Sequence, residues 1–130
     1  MKAAGADPAP APRRARGLAA RLRGVEAEEI AALHLRRLGF RVVARNVRTR
    51  VGELDIVAEG HGLVVVCEVK ARNQGSYGTA SECLTPAAVA RVRRAALATL
   101  GDTLPVRFDL IAITYDARGR ASLEHLPGAF

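Results

Sequence analysis

From about Arg16 or Gly24 to Leu38 the apolar positions follow a helical period. Ala31, Ala32, Leu35 and Leu38 recur three and four residues apart, which is one stripe of a helix, and Gly39 supplies its stop. The pattern then changes to short β-branched runs over Phe40–Arg45 and Gly52–Ala58. Glu59-Gly60-His61-Gly62 reads as a turn, and Leu63–Arg72 is the longest strand-like run in the chain. Asn73–Leu84 is polar and carries Gly75 and Gly78, the composition of an exposed loop. Thr85-Pro86 opens a second helix, with Thr as its cap and Pro in the first helical position. Val89, Val92, Ala96 and Leu100 form its apolar stripe, and Gly101 ends it. Val106–Tyr115 and Ala121–Leu126 are two more strands, joined by a turn at Ala117–Gly119. The order α-β-β-β-α-β-β specifies an α/β fold, a mixed sheet flanked by helices.

Ahead of the first helix, residues 1–17 alternate Ala with Pro and then cluster Arg, which predicts a disordered basic arm. Residues 18–130 read as a single domain, because two cores cut from a chain of 130 residues would each be too small.

Side chains two apart on a strand share a face. On Gly52–Val57 this predicts Glu53 and Asp55 on one side, with Leu54 and Ile56 on the other. On Val66–Lys70 it predicts Glu68 beside Lys70, opposite Cys67 and Val69. The tight turn between the runs makes them neighbours, so Asp55, Glu68 and Lys70 can meet at one point. Val64–Cys67 suggests a strand buried on both faces, where acids and lysines are rare unless paired. A plain Glu–Lys ion pair, with Asp55 accepting hydrogen bonds, is the simpler explanation. Several ionisable groups on one face favour a metal site instead.

The residue types suit that chemistry. Asp55 and Glu68 offer the hard oxygen ligands that Mg²⁺ or Mn²⁺ takes, and Lys70 can orient a water or neutralise a phosphoryl group. A backbone carbonyl near Val69 can complete the coordination. On the first helix, Glu28 shares the stripe of Ala32 and Leu35 and should face the sheet, whereas Glu26 lies opposite and Glu29 on the flank. Glu28 is the candidate third acid, reaching a metal directly or through water.

A formal charge of +7 points to a polyanionic partner, most simply nucleic acid. Aromatics make up only 4% and Trp is absent, which argues against recognition by base stacking. Cys67 and Cys83 have no metal-site spacing and no disulfide framework. With no apolar leader and no run long enough to span a bilayer, a cytoplasmic protein with no membrane contact is expected. Arg72, Arg91 and Arg94 are candidate phosphate contacts. His34, His61 and His125 share no spacing, and Asp109 is expected to make a structural hydrogen bond or ion pair.

An acid on one strand, a turn, and Glu-X-Lys on the next resembles the active-site pattern of the PD-(D/E)XK, restriction-endonuclease-like nucleases. More narrowly, the chain resembles the YraN family, also labelled UPF0102. The resemblance runs over Gly24 with Glu28, Leu35 and Gly39, then Asn46, Gly52-Glu53-Leu54-Asp55 and Glu68-Val69-Lys70-Ala71-Arg72. It continues through Gly78, Arg107-Phe108-Asp109 and the ending His125-Leu126-Pro127-Gly128-Ala129-Phe130. It implies the endonuclease-like fold, with Asp55, Glu68 and Lys70 as catalytic core and Glu28 as helix acid. Family members usually carry a lysine where Ala88 stands, a phosphate contact that Arg91 or Arg94 would replace, and a large apolar residue where Cys67 stands. The expected activity is Mg²⁺- or Mn²⁺-dependent hydrolysis of DNA, structured or branched DNA included. The alternative is a non-catalytic nucleic-acid-binding module on the same fold. Resolving a four-way junction needs paired active sites and hence a homodimer.

Overall fold

A computed structural model describes residues 13–75, 78–80, 82, 84–101 and 104–130, with the backbone alone for 13–20. Residues 1–12 of the expected arm, Ser76-Tyr77 of the 73–84 loop, and Cys83 lie outside the described residues. The elements are α1 (Arg13–Arg37), β1 (Arg41–Arg48), β2 (Glu53–Gly60), β3 (Leu63–Asn73), α2 (Pro86–Thr99), β4 (Val106–Tyr115) and β5 (Ala121–Leu126). The fold is therefore α/β in the expected order. Helix α1 begins earlier than the apolar stripe indicates, because Arg, Ala and Leu after Pro12 are all good helix formers. No helix among the described residues is long and apolar enough to cross a membrane.

Five strands form one mixed sheet in the order β1-β2-β3-β4-β5. β3 and β4 run parallel with α2 as the crossover, and the other pairs are antiparallel. The β2–β3 turn is His61-Gly62, with φ of +53° and +78°, the two-residue geometry that follows the twist of a hairpin.

The helices cover opposite faces. Ala27, Ala31, Ala32 and Leu35 of α1 pack on Ile56, Ala58, Val65, Cys67, Ile111 and Ile113. Val92, Ala95 and Ala96 of α2 pack on Leu54, Val57, Val64 and Val66. Val64–Cys67 is thus buried on both sides, as its sequence suggests. Leu38 is not in the core: α1 ends at Arg37, and Leu38 is 45% exposed. Gly39 at φ +93° closes the helix, with Phe40 N–H donating to Leu35 O and Gly39 N–H to Arg36 O. These two bonds satisfy carbonyls that the helix end leaves open, and they bring Phe40 down onto Leu35 in the core.

Strand β2 is tied to α2 at Gly52, where an added Cβ would lie 2.9 Å from Arg91 O, a backbone atom that cannot swing aside. Gly52→Ala is expected to destabilise the protein by about 1–3 kcal/mol through this overpacking. Urea unfolding at constant m checks it, and an unchanged midpoint would contradict it.

Candidate functional site

Asp55 sits where the regular sheet breaks. A regular β2 would put Leu54 and Ile56 on one face, yet Leu54 packs on the α2 side and Ile56 on the α1 side. The expected parity fails because the alternation slips at Asp55. Opposite it on β1, between the pairs Arg45↔Ile56 and Val47↔Leu54, stands Asn46 at φ +51°. Asn is among the few side chains that tolerate this conformation. Ala44 and Val47 accordingly share the α2 side, as Val57 and Leu54 do.

The β2–β3 ladder ends at Ile56↔Cys67, while β3 continues beside β4 to Asn73↔Tyr115. The sheet is therefore split at its centre. Asp55 Oδ2 fills the split, accepting the Val69 N–H at 2.9 Å. The side chain is half-buried there. Toward α1, Asp55 lines a cleft of about 350 Å³ with Arg21, Gly24, Val25, Ala27, Glu28, Val69 and Ala71. Alternation along the unbroken β3 sends Glu68 and Lys70 the other way, to the side of Val64 and Val66.

Glu68 Oε1 and Lys70 Nζ are 3.2 Å apart, with the Glu68 side chain 13% exposed and that of Lys70 39%. The ion pair foreseen as the simple explanation thus exists, but it does not neutralise its surroundings. Burial, then the Glu68 charge, push the Asp55 carboxyl up to about 7, and Glu28 adds to this against the Val69 N–H and Lys70. Asp55, Glu68 and Lys70 converge electrostatically around the split, with Glu28 approaching from the α1 side. Glu29 instead pairs with Arg45 at 2.9 Å, as its flank position suggests.

Among the described residues, no three His, Cys, Asp or Glu side chains stand close enough together to cage a metal ion. Mg²⁺ commonly takes only one or two protein carboxylates, with waters and phosphate oxygens completing its shell. Asp55 and Glu68 are hard-oxygen donors of the kind that mode uses, and a divalent cation would relieve the repulsion between them.

The candidate phosphate contacts fare differently. Arg72 is engaged inside the protein, donating from Nε to Thr114 Oγ1 at 3.2 Å and from Nη1 to Gly78 O at 3.1 Å. Arg91 and Arg94 are exposed on α2, and Arg94 Nε returns to Ala90 O of its own helix at 3.3 Å. Arg93 lies over the Phe108 ring at 5.0 Å. Cys67 is buried, and that burial, followed by the Asp109, Asp55 and Glu68 charges, raises its thiol well above the usual value, which suits packing rather than reactivity.

Sequence reasoning missed two features. The first is the cleft-lining stripe Arg21, Gly24, Val25 and Glu28, which lies at the i, i+3, i+4, i+7 spacing of one helical face. That spacing was the available signal. The second is a network around the buried Asp109, which accepts from Arg107, His125 and the Gly128 N–H, while His34 Nε2 and His125 Nδ1 share a hydrogen bond of 3.0 Å. Asp109 is the structural group it was expected to be. The histidines carry no local pattern, because the pair is 91 residues apart in sequence.

A model of the family described as "Uncharacterised protein family UPF0102" matches residues 27–113, a span holding Glu28, Asp55, Glu68 and Lys70. A UPF0102 protein of Acidothermus cellulolyticus is 42% identical over 117 residues, covering 79% of this chain and 89% of the relative. One of Syntrophotalea carbinolica is 44% identical over 108 residues, covering 79% and 86%. One of Geobacter sulfurreducens is 40% identical over 111 residues, covering 82% and 87%. With most of both chains aligned at such identity, the protein belongs to the UPF0102 family, the one its sequence motifs resemble.

Proposed function

We propose that the protein is a divalent-metal-dependent endonuclease acting on DNA, with Asp55, Glu68 and Lys70 as its catalytic residues. The observation that carries this reading is the Asp55 carboxylate in the sheet split, crowded by Glu68 and Glu28 and raised to about 7. Three acids stand here against the single ammonium of Lys70, an excess of negative charge that favours a further positive charge. Mg²⁺ or Mn²⁺ bound by Asp55 and Glu68 would supply that charge and a more acidic bound water.

The chain's own groups have separable roles. The Val69 N–H fixes one Asp55 oxygen, Oδ2. Lys70 holds Glu68 in place, and its partly exposed ammonium can orient the attacking water and offset charge on the phosphoryl oxygens. In the hydrolysis, the water oxygen bonds to phosphorus, one P–O ester bond breaks, and the leaving oxygen takes a proton. The net charge of +7 assists capture of a polyanion. Glu28 would act on the same centre from the α1 side. A four-way junction as substrate would require two such sites in a homodimer.

The test is incubation of the protein with duplex, single-stranded and branched DNA and with RNA, with and without Mn²⁺. Mn²⁺-dependent DNA cleavage, lost in Asp55→Ala and in Glu68→Ala, is expected. No cleavage of any substrate, with salt-sensitive binding that neither substitution alters, would leave a non-catalytic binding module in its place.

A further inference from the structure

We infer that the α1 face bearing Arg21 and Gly24 is a docking surface for the sugar-phosphate backbone of the DNA strand being cut, with Gly24 retained so that the strand can lie against the bare helix. The inference rests on the nuclease reading of the site and assigns it a substrate-positioning wall.

Gly24 is inside a helix that runs from Arg13 to Arg37, where glycine costs about 1 kcal/mol relative to alanine. Among the described residues, no contact offsets that cost. A Cβ added at Gly24 meets no atom within 4 Å among the described residues, whereas one at Gly52 would meet the α2 backbone at 2.9 Å and one at Gly60 the Phe40 ring at 2.9 Å. Gly39 has its φ of +93° to explain it, and Gly24 has no positive φ. The space above Gly24 is the cleft itself, because Gly24 lines it together with Glu28 and Asp55. A glycine that the packing of the described residues does not need, on the wall of a cleft leading to an acidic centre, fits close approach by a ligand backbone.

Charge points to the kind of ligand. Arg21 is the basic member of the cleft lining, is exposed, and makes no hydrogen bond or ion pair with another described residue. It lies one turn before Gly24 on the same face, and Glu28 lies one turn after it. From Arg21 to Glu28 the helix rises about 10 Å, at ~1.5 Å per residue. That length is about the rise of three nucleotide steps along the axis of a duplex, at ~3.4 Å each. A strand with one phosphate beside Glu28 and Asp55 can therefore place another beside Arg21 while its sugars pass over Gly24. Without Arg21, Glu28 and Asp55 would make this wall repel DNA. The neighbouring Arg23 is not part of the surface: it is tied to Asn73 and stacks on Tyr115 at 5.2 Å, which anchors this half of α1 to the sheet.

The experiment compares wild type, Gly24→Ala, Gly24→Gln and Arg21→Ala. It pairs thermal melting with fluorescence-anisotropy titration of a labelled duplex, in EDTA so that no cleavage occurs, across a series of salt concentrations. Gly24→Ala should melt a few degrees higher, because helix propensity rises with no clash. It should nevertheless bind DNA several-fold more weakly, and Gly24→Gln at least tenfold more weakly. Arg21→Ala should weaken binding and lower the slope of log affinity against log salt by about one. If Gly24→Ala is stabilised but both Gly24 variants bind like wild type, the docking surface is wrong and the nuclease reading stands. A lower melting point for Gly24→Ala would also overturn it, since the glycine would then serve the fold. Wild type that binds no DNA at any salt concentration overturns the nuclease reading, and this inference with it.

Discussion

Exchanging Asp55 for Asn is expected to raise the melting temperature at neutral and higher pH while lowering Mn²⁺-dependent cleavage by about 10³. The two effects have one origin. The carboxyl has an ordinary value of 3.8 and is pushed up to about 7 in the folded chain, by burial first and Glu68 second. Over that interval the folded state holds a proton that the unfolded state has released. The stability linked to that proton is fully present below 3.8 and is lost as pH rises through about 7. Asn cannot ionise, so its variant escapes the loss, and its side-chain oxygen can still accept the Val69 N–H. Melts from pH 4 to pH 8 in EDTA should therefore separate the two proteins increasingly with pH. Added Mn²⁺ should stabilise wild type at pH 7.5, since a ligand of the native state alone adds RT ln(1 + [L]/Kd), and should leave Asp55→Asn unmoved. Equal melting temperatures throughout would mean that the acids around the split do not strain one another.

The element order is legible in the sequence because each element follows its own period and carries its own stop, as at Gly39 and at Thr85-Pro86. The grouping of Glu68 with Lys70 is legible for the same reason: β3 keeps a regular ladder with β4 through both residues. Asp55 is harder to read. The strand rule fails at the one residue where the chain leaves it, and the cause is distributed over Asn46 on β1 and the end of the β2–β3 ladder. A candidate arginine can likewise be recognised by its position near the strand end, but not by its partners. Arg72 meets Thr114 through a parallel pairing made only once α2 has crossed over. Leu38 illustrates the opposite error, since helical spacing continues in sequence for one residue beyond the helix.

The largest loss of stability should follow removal of Asp109. Its side chain is fully buried and accepts four hydrogen bonds: from Arg107 Nε and Nη2 at 2.8 Å, from His125 Nε2 at 2.8 Å, and from the Gly128 N–H at 3.0 Å. Through these contacts one carboxylate joins the start of β4, the end of β5 and the C-terminal segment. Ala129 N–H on Phe108 O at 2.8 Å and the Phe130 ring against Phe108 complete the closure. Burial alone would raise the Asp109 carboxyl, but the bonds from Arg107, Gly128 and His125 outweigh it and hold the carboxyl below its usual 3.8. Asp109→Ala leaves the Arg107 guanidinium, the His125 ring and the Gly128 N–H without their acceptor, so about 3–5 kcal/mol of stability should be lost. Denaturant unfolding near pH 7 measures the loss, and one below about 1 kcal/mol would show that water replaces the carboxylate at little cost. The pH dependence supplies a second check. Because the folded carboxyl is lowered, its contribution is present above 3.8 and disappears as pH falls through the folded value. His34, lowered from 6.5 by burial first and the His125 charge second, acts in a different window, losing its contribution as pH falls below 6.5. In the Asp55→Asn background, where no opposing proton uptake at residue 55 occurs, the protein should therefore weaken in two stages on acidification. In that background, adding Asp109→Ala should remove the lower stage, and adding His34→Gln the upper.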